Sequence, residues 1–143
     1  MISFFAEGIP KGQPRPKAFS RGGHAAVYDP GTAEGWKDCI RSAARQYRPD
    51  KPLQGPIRMS MEFFMPRPKA HFRTGKHAGE LRPDAPKWHI AKPDLDNLQK
   101  AVLDALKDIG MFADDAQWCV SGPVAKTYCT SRNGVSISIE QVE

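Results

Sequence analysis

The acidic residues between positions 94 and 115 are the part of this sequence best suited to chemistry. Asp94 and Asp96 stand one residue apart, and Asp114 and Asp115 form a second pair further along the chain. Hard divalent cations such as Mg²⁺ bind oxygen ligands, and proteins usually hold them with a few carboxylates while a substrate phosphate completes the shell. The pattern therefore predicts a metal site built from these four aspartates, with Mg²⁺ or Mn²⁺ as the ion.

An amphipathic helix over residues 95–108 is predicted between the two acidic pairs. Gly110 follows just past its end, where glycine is common. Asp94 is expected at the N-cap, in an extended lead-in set by Pro93, so that its carboxylate can converge with that of Asp96. The apolar residues recur at helical spacing on one face: Leu95, Leu98, Val102, Ala105, Leu106 and Ile109.

Lys100 lies one helical turn after Asp96, on the same face, with Asp104 one turn further. An ammonium there would hold a phosphate or stabilise the charge that develops on it. Ordinary structural roles also fit each residue by itself, because aspartate caps helices, pairs with lysine on surfaces and is common in turns. Their concentration in one window favours the metal site, since several like charges close together bring no structural benefit.

The run KPDLDNLQK, followed by LDAL and then by DD, resembles the signature of the RusA family of Holliday-junction resolvases, Mg²⁺-dependent endonucleases of bacteria and their phages. The resemblance implies that Asp94, Asp96 and Asp115 are the catalytic acidic residues and that Lys100 is the catalytic lysine. Asp114 matches the neighbouring acidic position. The N-terminal GQPRPK and a lysine after the second acidic pair extend the match more weakly, and residues 66–92 form an insertion relative to shorter members.

The activity implied by this resemblance is metal-dependent cleavage of DNA at four-way junctions. One or two ions held by the aspartates would activate water, and Lys100 would stabilise the charge of the transition state. Two alternatives remain. The first is a branched-DNA-binding protein without cleavage, in which the aspartates serve as caps and turns, and the second is a less selective branched-DNA nuclease.

Length and charge agree with one DNA-binding domain. The chain has 143 residues, and its 21 Lys and Arg against 16 Asp and Glu give a net charge of +5, which suits a polyanionic partner. Three cysteines at no metal-like spacing favour a reduced, cytoplasmic protein. The resemblance implies a bacterial, phage or prophage origin. The sequence shows no signal peptide, no membrane-spanning stretch and no glycine-rich loop for a nucleotide cofactor.

Two basic segments are candidates for DNA contact. Residues 9–24 carry cations among prolines and glycines without any acid, and residues 66–92 interleave seven Lys or Arg residues with aromatic rings. Phe72 and Trp88 are candidates for base stacking, whereas the histidines have no zinc-site spacing. Mobile solvated loops are the alternative for both segments, and a solvent-facing strand lysine is the alternative for Lys126. The predicted phosphate-binding residues are Lys11, Arg15, Lys17, Arg67, Lys69, Arg73 and Lys126.

The predicted fold is a single α/β (α+β) domain, in which a mixed parallel and antiparallel sheet is packed by two main helices. A second helix is expected over residues 32–47. The opening strand, residues 2–6, is expected to be central or paired early, because it is apolar on both faces. Asn133-Gly134 predicts that the last two strands form a hairpin. The other strands are expected at 57–65, 117–121, 124–130 and 135–142, with Gly122-Pro123 separating two of them.

Chain geometry predicts a homodimer with shared active sites. A helix over residues 95–108 carries the chain about 20 Å away from Asp94. Seven residues, 109–115, remain for the return, and fully extended they span at most about 25 Å, part of which the turn at Gly110 uses. Asp115 is therefore expected to meet Asp94 of a twofold partner, through antiparallel pairing of this helix with its mate.

Overall fold

The computed structural model describes residues 1–14, 17–21, 24–28 and 33–143, with side chains described for 1–14 and 33–143. The described residues contain no helix long and apolar enough to cross a membrane. Their strands and helices are, in order, β1 (Ile2–Glu7), β2 (Lys17–Arg21), β3 (His24–Tyr28), α1 (Glu34–Arg45), β4 (Ile57–Met65), α2 (Leu95–Asp108), β5 (Trp118–Tyr128) and β6 (Gly134–Gln141). Short 3₁₀ turns occupy Lys69–His71, Gly75–His77 and Asp115–Gln117.

The main sheet has four strands in the order β1-β6-β4-β5, and β2 pairs with β3 in a separate ribbon. β6 runs antiparallel to both β1 and β4, whereas β5 runs parallel to β4. This arrangement confirms the predicted mixed sheet with two main helices. The helix predicted over 95–108 is confirmed at both ends, and α1 is shorter than the predicted 32–47, since it ends at Arg45.

β1 lies at an edge of this sheet, so the prediction of a central strand is wrong. Its apolar residues pack on both faces of the sheet, against different neighbours. Phe4 faces the core and is 7% exposed, whereas the Phe5 ring lies on the opposite face, 6.2 Å from the ring of Phe64. An edge strand can therefore be apolar on both faces without being enclosed by neighbours.

The predicted terminal hairpin is also wrong, because β4 lies between β5 and β6. Gly134 opens β6 at φ +153°, and a Cβ there would collide with the carbonyl oxygen of Ala6 and come within 2.6 Å of the Phe5 ring. The glycine is thus required by the close approach of β1, and the neighbouring Asn-Gly pattern does not mark a tight turn between paired strands.

The sequence predicts that Gly122-Pro123 separates two strands. In the structure both residues lie within the single strand β5. The register advances from Ser121 opposite Met59 to Val124 opposite Met61, so β5 carries one extra residue in a bulge. Proline is tolerated in such a place, since β5 is an edge strand in the described sheet and a bulge leaves a residue outside the ladder.

The core lies between one face of the sheet and the two helices. β4 alternates buried and exposed residues along its whole length, as expected for a strand with one face on the core. Helix α2 contributes its apolar stripe, including Leu98, Val102 and Leu106, all fully buried. Because this stripe fixes the rotation of α2, the opposite face of the helix must present Lys100 and its acidic neighbours.

Candidate active site

Asp94 and Asp96 stand at the start of α2. Asp94 is the N-cap residue with extended backbone angles, φ −70° and ψ 149°, which confirms the predicted lead-in. Its side chain makes no capping hydrogen bond within the described residues and lies 52% exposed, with Oδ2 3.9 Å from Nζ of Lys92. Asp96 Oδ1 accepts a hydrogen bond from the backbone N–H of Asn97 at 2.9 Å. The carboxylate of Asp94 is therefore not used to stabilise the helix.

Asp115 reaches Lys100 within its own chain. Lys100 Nζ donates to Asp115 Oδ2 at 2.9 Å and lies 3.2 Å from Oδ1 of Asp104. The hydrogen bond that Lys100 donates to Asp115 is the main reason why the pKa of the ammonium lies above its ordinary value. It outweighs the opposing effect of burial. The lysine is consequently a fixed positive charge between two carboxylates.

The second oxygen of Asp115 is the atom of this site best suited to a cation. Oδ1 is buried and has no hydrogen-bond partner among the described residues. A buried carboxylate oxygen without a partner is costly, and a hard cation is the natural partner for it. The chemistry of Asp94, Asp96 and Asp115 therefore fits Mg²⁺. One chain by itself does not gather three such side chains, because the described part contains no group of three or more metal-binding residues.

A capped turn presents Asp115. Asp114 Oδ1 accepts from the N–H of Ala116 at 3.0 Å and forms a capping box with Gln117. Gln117 Oε1 accepts from the N–H groups of Ala113 and Asp114 at 2.8 and 2.9 Å. One oxygen of Asp114, which the sequence predicted as a metal ligand, is thus engaged as a cap. Gln117 was missed by the sequence analysis, although the spacing Asp-x-x-Gln is itself a capping signal.

Gln117 also joins this turn to the chain ahead of β4. Its Nε2 donates to the carbonyl oxygens of Leu53 and Gly55 at 2.8 and 3.0 Å. The side-chain amide therefore makes four hydrogen bonds, which hold the residues on either side of Asp115 against a distant loop.

Behind Lys100, an ion-pair network joins the two helices. Asp104 Oδ2 lies 4.0 Å from Nζ of Lys37, which lies 3.4 Å from Oε1 of Glu34. Lys37 is 6% exposed and is the buried charged residue of the described core. A single lysine on a polar helix face carries no sequence signal that would reveal this burial.

The residues predicted to bind phosphate fall into different settings. Lys11 and Lys69 are exposed. Arg73 NH1 pairs with Glu80 Oε2 at 3.1 Å. Arg15 and the side chain of Lys17 lie outside the described residues, so their predicted roles remain predictions. Lys11 and Lys69 therefore remain candidates for contact with a polyanion.

Arg67 and Lys126 are instead bound to the protein backbone. Arg67 donates from Nε to the carbonyl of Cys129 at 2.9 Å and from NH1 to that of Pro86 at 2.7 Å. Lys126 Nζ donates to the carbonyl oxygens of Ala91 and Pro93 at 2.7 and 2.8 Å. Hydrogen bonds from both side chains therefore connect the 66–92 segment to β5 and the residue that follows it.

That segment contains no strand and only two short 3₁₀ turns, which agrees with the prediction of irregular structure. Its end nevertheless follows the outer edge of β5, where the N–H of Tyr128 donates to the carbonyl of Lys87 at 2.9 Å. Trp88 is 56% exposed, with Nζ of Lys87 4.9 Å from its ring centroid. An exposed indole beside a cation suits a stacking role, which stays a prediction.

Comparisons with known proteins give two similarities. A family model described as Endodeoxyribonuclease RusA matches residues 7–140, which include every aspartate of the site. The chain is also 32% identical over 146 residues to the uncharacterized protein YqaN of Bacillus subtilis (strain 168), and the alignment covers 99% of this chain and 96% of that protein.

Proposed function

Because the chain belongs to the RusA family of endodeoxyribonucleases, which implies an endonuclease that resolves Holliday junctions, we propose that it is Mg²⁺-dependent and acts in recombination and repair in the bacterial cytoplasm. The observation that carries the proposal is the arrangement of Asp115. One of its oxygens is held by Lys100, and the other is buried without a partner among the described residues. Such a carboxylate is prepared for a cation.

Three aspartates would hold the ion, namely Asp94, Asp96 and Asp115. When bound, Mg²⁺ supplies a Lewis acid that polarises the phosphate and lowers the pKa of water. Lys100 would contribute a second positive charge near the phosphate. Lys100 offers a positive charge that its neighbours keep protonated, and such a charge stabilises the extra negative charge of the phosphate in the transition state.

A homodimer with shared sites is part of the proposal. Asp115 returns along α2 as far as Lys100, and the described residues of one chain do not gather three metal-binding side chains. Antiparallel pairing of two α2 helices would bring the partner's acidic turn to Asp94. Two sites related by a twofold axis also suit a four-way junction, whose resolution needs paired cuts in two strands.

The test uses a labelled four-way junction and a linear duplex of matching sequence, each incubated with Mg²⁺, Mn²⁺ or EDTA. Asp94→Asn, Asp96→Asn and Asp115→Asn should each abolish cleavage. Junction binding should remain or become tighter, since loss of negative charge favours phosphate contact. Asp50→Asn, at an exposed position ahead of β4, is the matched control and should cut normally.

The results separate the alternatives. Cleavage by any of the three site variants at the rate of the unmodified protein would contradict the metal-site assignment. Junction binding without cleavage in either metal would favour the non-catalytic DNA-binding protein, and equal cleavage of junction and duplex would favour the less selective nuclease.

DNA contact by the two basic segments is tested by salt dependence. Each phosphate contact contributes about 0.9 to the slope of log K against log salt. Lys11→Met and Lys69→Met should each lower that slope, because both lysines are exposed. The exposed Lys51 supplies the control Lys51→Met, whose slope should equal that of the unmodified protein.

A further inference from the structure

The ammonium of Lys126 holds the backbone that leads into the active site. Its Nζ donates to the carbonyl oxygens of Ala91 and Pro93 at 2.7 and 2.8 Å. These two carbonyls lie on either side of Lys92, and that of Pro93 immediately precedes Asp94. The N–H of His89 donates to the Lys126 carbonyl at 3.4 Å, so the backbone and the side chain of this lysine both bind the same segment.

Lys126 is itself fixed by the sheet. It lies within β5, opposite Phe63 of the buried strand β4, and Phe63 is fully buried. A lysine side chain is long and loses much rotamer freedom when held in one geometry. Here the held side chain fixes the irregular backbone of residues 91–93 relative to β5.

A second approach to the lead-in comes from Gly12, in the N-terminal loop. A Cβ at Gly12 would lie 3.0 Å from Cβ of Asn97 and 3.2 Å from Cβ of Pro93. The next residue, Gln13, donates its N–H to the carbonyl of Asn97 at 2.9 Å. The lead-in is therefore confined by both the N-terminal loop and β5.

Asp94 depends on this confinement. Its side chain makes no capping hydrogen bond within the described residues and is half exposed, and its ion pair with the exposed Lys92 is long, at 3.9 Å, so these contacts hold its carboxylate only weakly. The position of the carboxylate follows from the backbone of residues 91–94 instead. A misplacement of about 1 Å at a reacting group can cost about 100-fold in rate.

We propose that Lys126 is a positioning residue, whose ammonium fixes the backbone that presents Asp94 for catalysis. This role replaces the phosphate contact expected from the sequence. An ammonium has three donors, and two of them are already used at short distances by the protein itself. The inference rests on the proposed function only in taking Asp94 as a residue of the reacting site.

The experiment compares Lys126→Met, which keeps most of the side-chain length but removes the donors, with Lys51→Met. Lys51 is exposed in the chain ahead of β4, so its substitution removes the same charge outside the lead-in and outside α2. Single-turnover cleavage of a labelled four-way junction is measured at saturating protein. Junction affinity is measured across KCl concentrations in EDTA, where no cleavage occurs.

Lys126→Met should lower the single-turnover rate at least about tenfold, while its salt slope equals that of Lys51→Met. The amides of residues 92–97 should exchange hydrogen faster in Lys126→Met and normally in Lys51→Met. Lys126→Arg, which keeps the charge and several donors, should restore part of the rate.

Gly12→Ala is a second variant that changes no charge. Its added methyl group presses on the lead-in from the N-terminal loop, so its rate should also fall while its salt slope stays constant. It decides the matter if Lys126→Met does not fold in a urea titration.

Two results would overturn the inference. One is a rate within about twofold of the unmodified protein in both Lys126→Met and Gly12→Ala. The other is a salt slope lowered by about 0.9 in Lys126→Met with full rate at saturating protein, which is the behaviour of a phosphate contact. Failure of the unmodified protein to cleave would instead contradict the proposed function, and the hydrogen-exchange comparison would still test the positioning role.

Discussion

Gln117→Met is expected to destabilise the protein well beyond the effect of an ordinary surface substitution. The side-chain amide donates to the carbonyls of Leu53 and Gly55 and accepts from the N–H groups of Ala113 and Asp114. Methionine has a similar length but makes none of these bonds. The change therefore separates the turn that carries the acidic pair from the chain ahead of β4.

The magnitude follows from the exposure of each bond. Three of the four hydrogen bonds are exposed and one is partly buried. A net hydrogen bond contributes about 0.5–1.5 kcal/mol, with the low end suited to exposed ones. The expected loss in the free energy of unfolding is about 2.5 kcal/mol. With a urea slope of about 2 kcal/mol per molar, the midpoint should fall by about 1.2 M.

Equilibrium urea unfolding, followed by tryptophan fluorescence, measures this midpoint. Gln141→Met is the matched control, because the exposed Gln141 donates a single bond, to the carbonyl of Gln54 at 3.1 Å. Its midpoint should move by about 0.3 M or less, from the loss of about 0.5 kcal/mol. Equal shifts in the two variants would refute the argument that the amide of Gln117 secures this turn.

Lys100→Met should lower the free energy of unfolding. The loss should be constant from pH 7 to about 10.5 and shrink above that, because the hydrogen bond to Asp115 raises the pKa of Lys100 in the folded state from 10.5. Urea titrations from pH 7 to 11 measure this. Burial, followed by the charge of Lys126, lowers the pKa of His89 from 6.5. The folded protein should therefore lose stability as pH falls below about 6.5, and His89→Asn should lose less between pH 7.5 and 5.5. Mixing inactive Asp94→Asn with inactive Asp115→Asn under subunit exchange should restore cleavage of one strand, and no recovery in proven heterodimers would contradict the shared site.

The sequence predicts α2 to the residue because its limits are local. Pro93 and Gly110 bracket an apolar stripe of constant helical spacing, and the structure keeps both ends. The same local signals place Asp94 in an extended lead-in. What they cannot supply is the pairing of Lys100 with Asp115, which depends on how the chain turns back after the helix.

Strand order was harder to predict because it is a property of distant segments. The alternation in β6 shows which residues face inward, and Val135, Ile137 and Ile139 are indeed buried. It does not show which strands lie on either side. The Asn-Gly pattern suggested a partner next in the chain, but a strand with so buried an inward face belongs in the interior of the sheet, between β1 and β4.

The backbone contacts of Arg67 and Lys126 could not be predicted for a related reason. A sequence shows that a side chain carries a positive charge, but backbone carbonyls look the same at every position. Long cationic side chains can bury their stems and place their ends on distant groups. Arg67 reaches the carbonyl oxygens of Cys129 and Pro86 in this way. A basic segment that suggests DNA contact therefore also contains cations that hold its own backbone in place.

The interior place of β6 has a consequence for protein synthesis. β6 is the last strand of the fold, yet it joins β1, the first, to β4. A nascent chain that has emerged from the ribosome only as far as β5 already contains every aspartate of the site, but its opening strand has no neighbour in the sheet. We expect such a chain to hold its carboxylates on an unfinished scaffold. Catalytic competence is then expected only after β6 has emerged from the ribosome and paired with both β1 and β4.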